Sequence, residues 1–247
     1  MKNLKLLFAV FVVTIATLFV YSCAKEGEEK KDTVFQDLNT KSRAAEPCEN
    51  ALGNCNGTPW TTTTANNISI DLYPGCNFEV VYKYRICPFT GKLDVVIELF
   101  ADWPPCAAFN TDIANDPFII SKVEKKIMTE IVNILLQNPL VNIPNCSSGR
   151  NTSIGFSTSD CLNFCIFPLA TYQTPNGELI KVGYSKIPCG DACCKTTYDV
   201  CRSADGTLNI TVSLSQGTGN CSAQVPNLPC PVNSIGQTGC IPNCYLL

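Results

Sequence analysis

The chain has 247 residues, with 17 cysteines and no histidine. Without an imidazole there is no Ser-His-Asp or Cys-His nucleophile system, no His-bearing zinc site and no haem attachment through C-x-x-C-H. A formal charge of −3, from 18 Lys+Arg against 21 Asp+Glu, excludes a broad basic footprint, so no nucleic-acid partner is expected.

In chain order, Lys2 and Lys5 precede an uncharged, mostly apolar stretch of 15 residues from Leu6 to Val20. A membrane span needs about 20 such residues, so the shorter run suits the apolar core of a secretory signal. The stretch ends Val20-Tyr21-Ser22-Cys23. This ending resembles the lipobox of bacterial lipoproteins, a small residue followed by the cysteine that receives the lipid. The resemblance implies a signal peptide over 1–22, lipid attachment at Cys23, and a membrane partner reached through that anchor. Several acyl chains on one residue anchor stably where one alone binds only marginally. Ala24 stands where some lipoproteins carry the aspartate of inner-membrane retention, which implies the outer membrane. Lys25 to Asp32 is similar to the acidic export signal of Bacteroidota surface lipoproteins, implying a cell-surface location; a plain solvated spacer is the other reading.

Residues 23–47 read as a flexible tether. Eleven of the 24 residues 24–47 are charged, against 26 of the 200 residues 48–247. So polar a segment cannot bury enough apolar surface to offset the entropy of ordering it. Within it, Asp32-Thr33-Val34 resembles a Bacteroidota O-glycosylation signal, which makes Thr33 a candidate glycosylation site.

The body, 48–247, holds the other sixteen cysteines: Cys48, Cys55, Cys76, Cys87, Cys106, Cys146, Cys161, Cys165, Cys189, Cys193, Cys194, Cys201, Cys221, Cys230, Cys240 and Cys244. An even count in an exported chain predicts a disulfide framework, here of up to eight bridges. No C-x2-C pair occurs, so metal or iron–sulfur ligation is disfavoured and no metal or cofactor is expected. A vicinal bridge is strained, so adjacent Cys193 and Cys194 are expected to take different partners. The pairing is otherwise open.

A first strand is predicted at 67–72. An internal repeat follows: Gly91-Lys-Leu-Asp-Val-Val-Ile-Glu-Leu-Phe runs on to Cys106, and Gly206-Thr-Leu-Asn-Ile-Thr-Val-Ser-Leu-Ser runs on to Cys221, fifteen positions in both. Tyr84-x-x-Cys87 matches Tyr198-x-x-Cys201 upstream. Both copies, about 76–106 and 194–221, alternate apolar and polar residues as a half-buried hairpin does. Between them, Asp116 as N-cap, Pro117 in the first turn and Pro139 beyond the end bracket a helix over about 117–137. Ile120, Val123, Ile127, Ile131, Ile134 and Leu135 form its apolar stripe, and Ser121, Lys122, Lys125, Glu130, Asn133 and Gln137 are expected to face away. Further strands are predicted at 152–158, 162–172 and 178–186, and the last 25 residues read as a loop layer. The expected fold is α+β, mostly β: a disulfide-rich body with two repeated β-hairpin modules and one amphipathic helix.

No catalytic constellation stands out. Asp94 and Glu98 lie four apart on one strand, about 13 Å, too far for a glycosidase pair, and read as a solvated face. Asp102, Asp112, Asn115 and Asp116 offer loop oxygens to calcium but lack any recognised ligand spacing. Trp60, before a run of four threonines, and Trp103, in Asp-Trp-Pro-Pro-Cys, are the candidate binding residues for a glycan or protein ligand. Tryptophans in such loops more often simply cover a disulfide. The expected role is binding, adhesion or envelope structure. A carboxylate- or metal-dependent exported hydrolase and a pilin-like structural subunit are the alternatives.

Overall fold

The computed structural model describes residues 48, 55, 57–88, 90, 92–175, 177–190, 192–216, 229–230 and 232–244. The signal segment 1–22, the tether 23–47 with Cys23 and Thr33, and Cys221 lie outside the described residues. In order the elements are β1 (Thr61–Ser69), β2 (Asn77–Ile86), β3 (Lys92–Asp102), α1 (Ala107–Asn115), α2 (Ile119–Leu136), a 3-10 turn (Cys146–Ser148), β4 (Thr152–Ser159), β5 (Cys161–Thr174), β6 (Gly177–Pro188), β7 (Cys193–Arg202), β8 (Leu208–Gln216) and β9 (Gly236–Pro242). The architecture is mostly β, α+β, built on one mixed sheet of nine strands.

β3 organises that sheet because it has three neighbours. One edge pairs antiparallel with β2, which pairs in turn with β1. The other edge is divided: Lys92 to Val95 run parallel to β4, and Leu99 to Asp102 run antiparallel to β6. Two wings leave β3 at this division, β4-β7-β8 and β6-β5-β9. The register places the branch at Glu98. Val81 opposes Leu99 and Tyr82 opposes Ile97, so Glu98 is an extra residue. A bulge shifts the side-chain alternation by one position. Leu93, Val95 and Ile97 before it, and Phe100 after it, therefore all enter the main core.

That core lies between the sheet and α2. Ile120, Val123, Ile127, Met128, Ile131, Val132 and Leu135 pack against Phe78, Tyr82, Phe156, Phe164 and Tyr184. Each fully buried aliphatic or aromatic side chain contributes about 1.5–3 kcal/mol by leaving water. The buried arc of the helix is wider than its apolar stripe. Ser121 and Lys125, expected to face away, are buried, whereas Ile134 is 38% exposed. Lys186 of β6 reaches Glu124 and Asn243 after β9 reaches Ser121, so polar positions flanking the stripe are enclosed too.

Other boundaries differ from expectation. β1 starts at Thr61, six residues early, because an edge strand with exposed threonines shows no apolar alternation. A separate helix, α1, precedes α2; it buries only Phe109 and Ile113, one turn apart, among polar residues that mask its period. Asp116 accepts a hydrogen bond from the Phe118 amide at 3.0 Å, but α2 begins at Ile119, beyond Pro117. The C-terminal stretch is not wholly a loop layer: Gly236–Pro242 is a strand paired with β5.

Seven disulfides join the described residues: Cys48–Cys193, Cys55–Cys87, Cys76–Cys106, Cys146–Cys201, Cys165–Cys230, Cys189–Cys240 and Cys194–Cys244. Cys161 is disulfide-bonded as well. The two hairpins, β2–β3 and β7–β8, differ in their bridges. Cys76 bonds Cys106 across the ends of its own hairpin, but the corresponding Cys194 bonds Cys244 beyond β9. They differ in setting too, since β3 is central and β8 is an edge.

Candidate binding surface

The face of the sheet turned away from α2 carries both tryptophans, at opposite ends. On β2 this face presents Glu79, Val81, Lys83 and Arg85, paired with Ala101, Leu99, Val96 and Asp94 of β3. Six residues separate Glu79 from Arg85, about 20 Å along a strand. The two tryptophans do not form one site.

At the Arg85 end the surface is a closed ionic cluster. Asp94 is 2% exposed. Its Oδ2 accepts from Arg85 Nε at 3.0 Å and from the Cys55 amide at 2.9 Å, and Lys195 Nζ lies 4.0 Å from its Oδ1. Lys83 pairs with Glu98 at 3.8 Å. The Trp60 ring stacks against this cluster, 4.4 Å from the Arg85 guanidinium carbon and 5.0 Å from Lys83 Nζ. Such cation–π contacts strengthen where water is excluded. Burial lowers the pKa of Lys195, Asp94 opposes that shift, and Lys92 and Arg85 add to it. Asp94 and Glu98 are therefore not a solvated face, and Trp60 is engaged with buried cations. Removing an unpaired charge from water costs several kcal/mol, so each carboxylate on this enclosed face is matched to a cation.

The other end is open. Trp103 follows β3 and its amide donates to Asn77 O at 3.0 Å. Its ring lies 4.3 Å from that of Tyr172 on β5, tilted by 32°. Both are half-buried, and Tyr172 sits opposite Leu179 on β6, which is 40% exposed. Behind them Lys181 donates to Glu79 Oε2 at 2.8 Å. The loop carrying Trp103 is held by the Cys76–Cys106 bridge and by buried Asp102, whose Oδ2 accepts from the Cys106 amide at 2.7 Å and from Asn110 Nδ2 at 3.1 Å. Burial raises the Asp102 pKa, against those two hydrogen bonds. Asn110 Oδ1 in turn accepts from the Tyr184 hydroxyl at 3.0 Å. Trp103 thus rests on a fixed base and is itself only half-buried.

A third polar group lies inside the main core. Lys186 donates to Glu124 Oε1 at 2.7 Å, with side-chain exposures of 5% and 0%. Neighbouring Lys125 is 4% exposed. Burial pulls its pKa down to about 8; Glu124 opposes the shift and Lys186 adds to it. An amine so tuned is a usable base or nucleophile, but here it is shut away from solvent. Nothing in the local sequence separates these residues from the surface lysines of any amphipathic helix. Tyr172 also escaped the sequence reading, being one aromatic in a polar strand end.

The remaining acids of 94–116 have structural partners. Asp112 accepts from the Tyr73 hydroxyl at 2.7 Å, and Asp116 holds the Phe118 amide. Among the described residues no group of three or more Cys, Asp or Glu side chains is placed to hold a metal ion. No described helix is long and apolar enough to cross a membrane. No protein-family model matches the chain, nor does any curated protein or solved structure.

Proposed function

We propose that the protein is an exported lipoprotein, anchored in the outer membrane through Cys23 and displayed at the cell surface, whose body binds a ligand at the Trp103–Tyr172 platform. The export half rests on the lipobox-like N-terminus and on a body stapled by bridges that form in oxidising compartments. The binding half is carried by the aromatic pair, 4.3 Å apart and half exposed. Two tilted aromatic faces beside an aliphatic side chain, above a fixed ion pair, suit a sugar ring or the side chain of a protein partner. The structural partners of Asp94, Asp102, Asp112 and Asp116 support binding over carboxylate hydrolysis. We also read the β7–β8 hairpin as a second copy of β2–β3, on the shared glycine-to-cysteine spacing.

A glycan array probed with the full-length protein and with Trp103→Ala and Tyr172→Ala tests the binding half. Loss of a central aromatic anchor costs about 2 kcal/mol or more, so signals should fall at least about tenfold. Binding unchanged in both variants refutes the platform. For the anchor, Cys23→Ser should release the protein from membranes, and continued retention refutes the lipid attachment.

A further inference from the structure

We propose that the β8 edge is a self-association surface on which two copies pair antiparallel, β8 against β8, to continue the sheet from one copy into the next. Three strands bond to a single neighbour among the described residues: β1, β8 and β9. An open edge invites another strand, and proteins blunt it with bulges, prolines, charges or short length. β1 is blunted by a register break between Ala65 and Ile68, with Asn67 at φ 58°. β9 has seven residues, ends at Pro242 and also breaks register against β5. β8 has none of these devices. Its nine residues, Leu-Asn-Ile-Thr-Val-Ser-Leu-Ser-Gln, contain no charge and no proline, and they pair with β7 without a break.

The side chains point the same way. Leu208, Ile210 and Val212 are 39%, 38% and 41% exposed, an apolar row on the outermost strand. They oppose Arg202, Val200 and Tyr198 on β7, and Val200 and Tyr198 are buried, so the row extends the main core past the sheet edge. An antiparallel pair related by a two-fold axis through Thr211 sets Leu208 against Leu214 and Ile210 against Val212. Asn209 then meets Ser213, and Thr211 meets its own copy. The axis stands perpendicular to the sheet, so both apolar rows stay on one face and merge, with threonine opposite threonine on the other. Cross-strand pairs of these kinds are favourable, and no like charges meet. A two-fold contact closes on itself, giving a dimer and no filament. The contact is small for a stable interface, so a weak dimer is expected, and tethering on one membrane raises the effective concentration of the edges.

Light scattering on the full-length protein in detergent, at up to about 0.1 mM, reads the association as a protein mass twice that of the protomer, with a dissociation constant of about 1–100 μM. Thr211 is exposed and lies opposite Asp199 on β7, so Thr211→Lys leaves the protomer intact and Thr211→Glu costs it no more than about 1 kcal/mol, yet each sets like charges across the axis and should weaken the dimer at least tenfold. An equimolar mixture of the two should restore it, while Val232→Lys, at a fully exposed site elsewhere, should change nothing. On the unmodified chain, exchange of the β8 amides should slow as concentration rises. A monomer at all concentrations, a dimer unaffected by either Thr211 variant, or a mixture that does not reassociate overturns the proposal. Because none of these readouts depends on a ligand, they stand apart from the test of the Trp103 platform.

Discussion

Replacing Asp94 by alanine measures how the outer face of the sheet is built. Its carboxylate meets Arg85 Nε at 3.0 Å and the Cys55 amide at 2.9 Å, and both charged side chains are 3% exposed. Deleting one partner of a buried pair leaves the other charge uncompensated, a loss of about 3–5 kcal/mol. A solvated aspartate, the expectation from strand alternation, would cost no more than about 0.5 kcal/mol. The two values differ enough to decide. For a body of this size each kcal/mol lowers Tm by about 2–4 °C, so Asp94→Ala should melt about 6–20 °C lower. Guanidinium unfolding with the disulfides intact reads the same quantity. Asp94→Asn should lie between, because its amide oxygen still accepts from Cys55. The double variant Asp94→Leu/Arg85→Met should recover most of the loss, since apolar replacement of a whole buried pair is often neutral. A loss below about 1 kcal/mol in Asp94→Ala would show that water solvates Arg85, and the closed cluster under Trp60 would have to be abandoned.

Two further outcomes follow from the interior. The Lys125 amine has its folded-state pKa near 8, below the usual 10.5, so the native state binds fewer protons than the unfolded chain between those values. Stability should therefore rise as pH goes from about 8 towards 10.5, and Lys125→Met should remove that slope and add on the order of 2–3 kcal/mol at neutral pH. Urea titrations at several pH values check the sign. Gly183→Ala should destabilise by about 1–3 kcal/mol through overpacking, because its Cβ would lie 2.9 Å from Leu169 Cδ1 and 3.2 Å from Leu99 Cδ1. Adding Leu169→Ala should relieve the clash, which a thermal melt of the double variant would show as less than additive loss.

What sequence reveals here is set by range. The two hairpins and the main helix were legible because each rests on local alternation and on Gly, Asp and Pro at its ends. β1 was legible only in its second half, because its leading threonines show no alternation, and α1 and β9 were not, since each is held by neighbours distant in the chain. β9 exists through its pairing with β5 and the Cys189–Cys240 and Cys165–Cys230 bridges. Asp94 shows the same limit from the other side. In isolation an aspartate between Leu93 and Val95 faces water, and only the fold brings Arg85, Lys195 and the Cys55 amide to it. For the surface, Trp103 was legible as an aromatic in a proline- and cysteine-bounded loop, but its partner Tyr172 lies 69 positions away.

The bulge at Glu98 and the placement of the bridges answer one mechanical problem. A strand that branches to two wings leaves each wing joined to the centre over only four residue pairs. Such short ladders would splay unless the wings were tied together elsewhere. They are: β4 passes into β5 through Asp160 alone, the Asn243 amide donates to Asp160 O at 2.9 Å, and Cys194–Cys244 joins β7 to the chain after β9. β7 carries two further bridges, Cys48–Cys193 and Cys146–Cys201, closing separations of 145 and 55 residues. Long closures restrict the unfolded chain most, so the covalent restraint is concentrated on the strand next to the open edge. β8 has no cysteine among its nine residues and, among the described residues, pairs with β7 alone. A rigid strand behind a bare one holds that bare edge straight, which is what strand-to-strand pairing between copies requires.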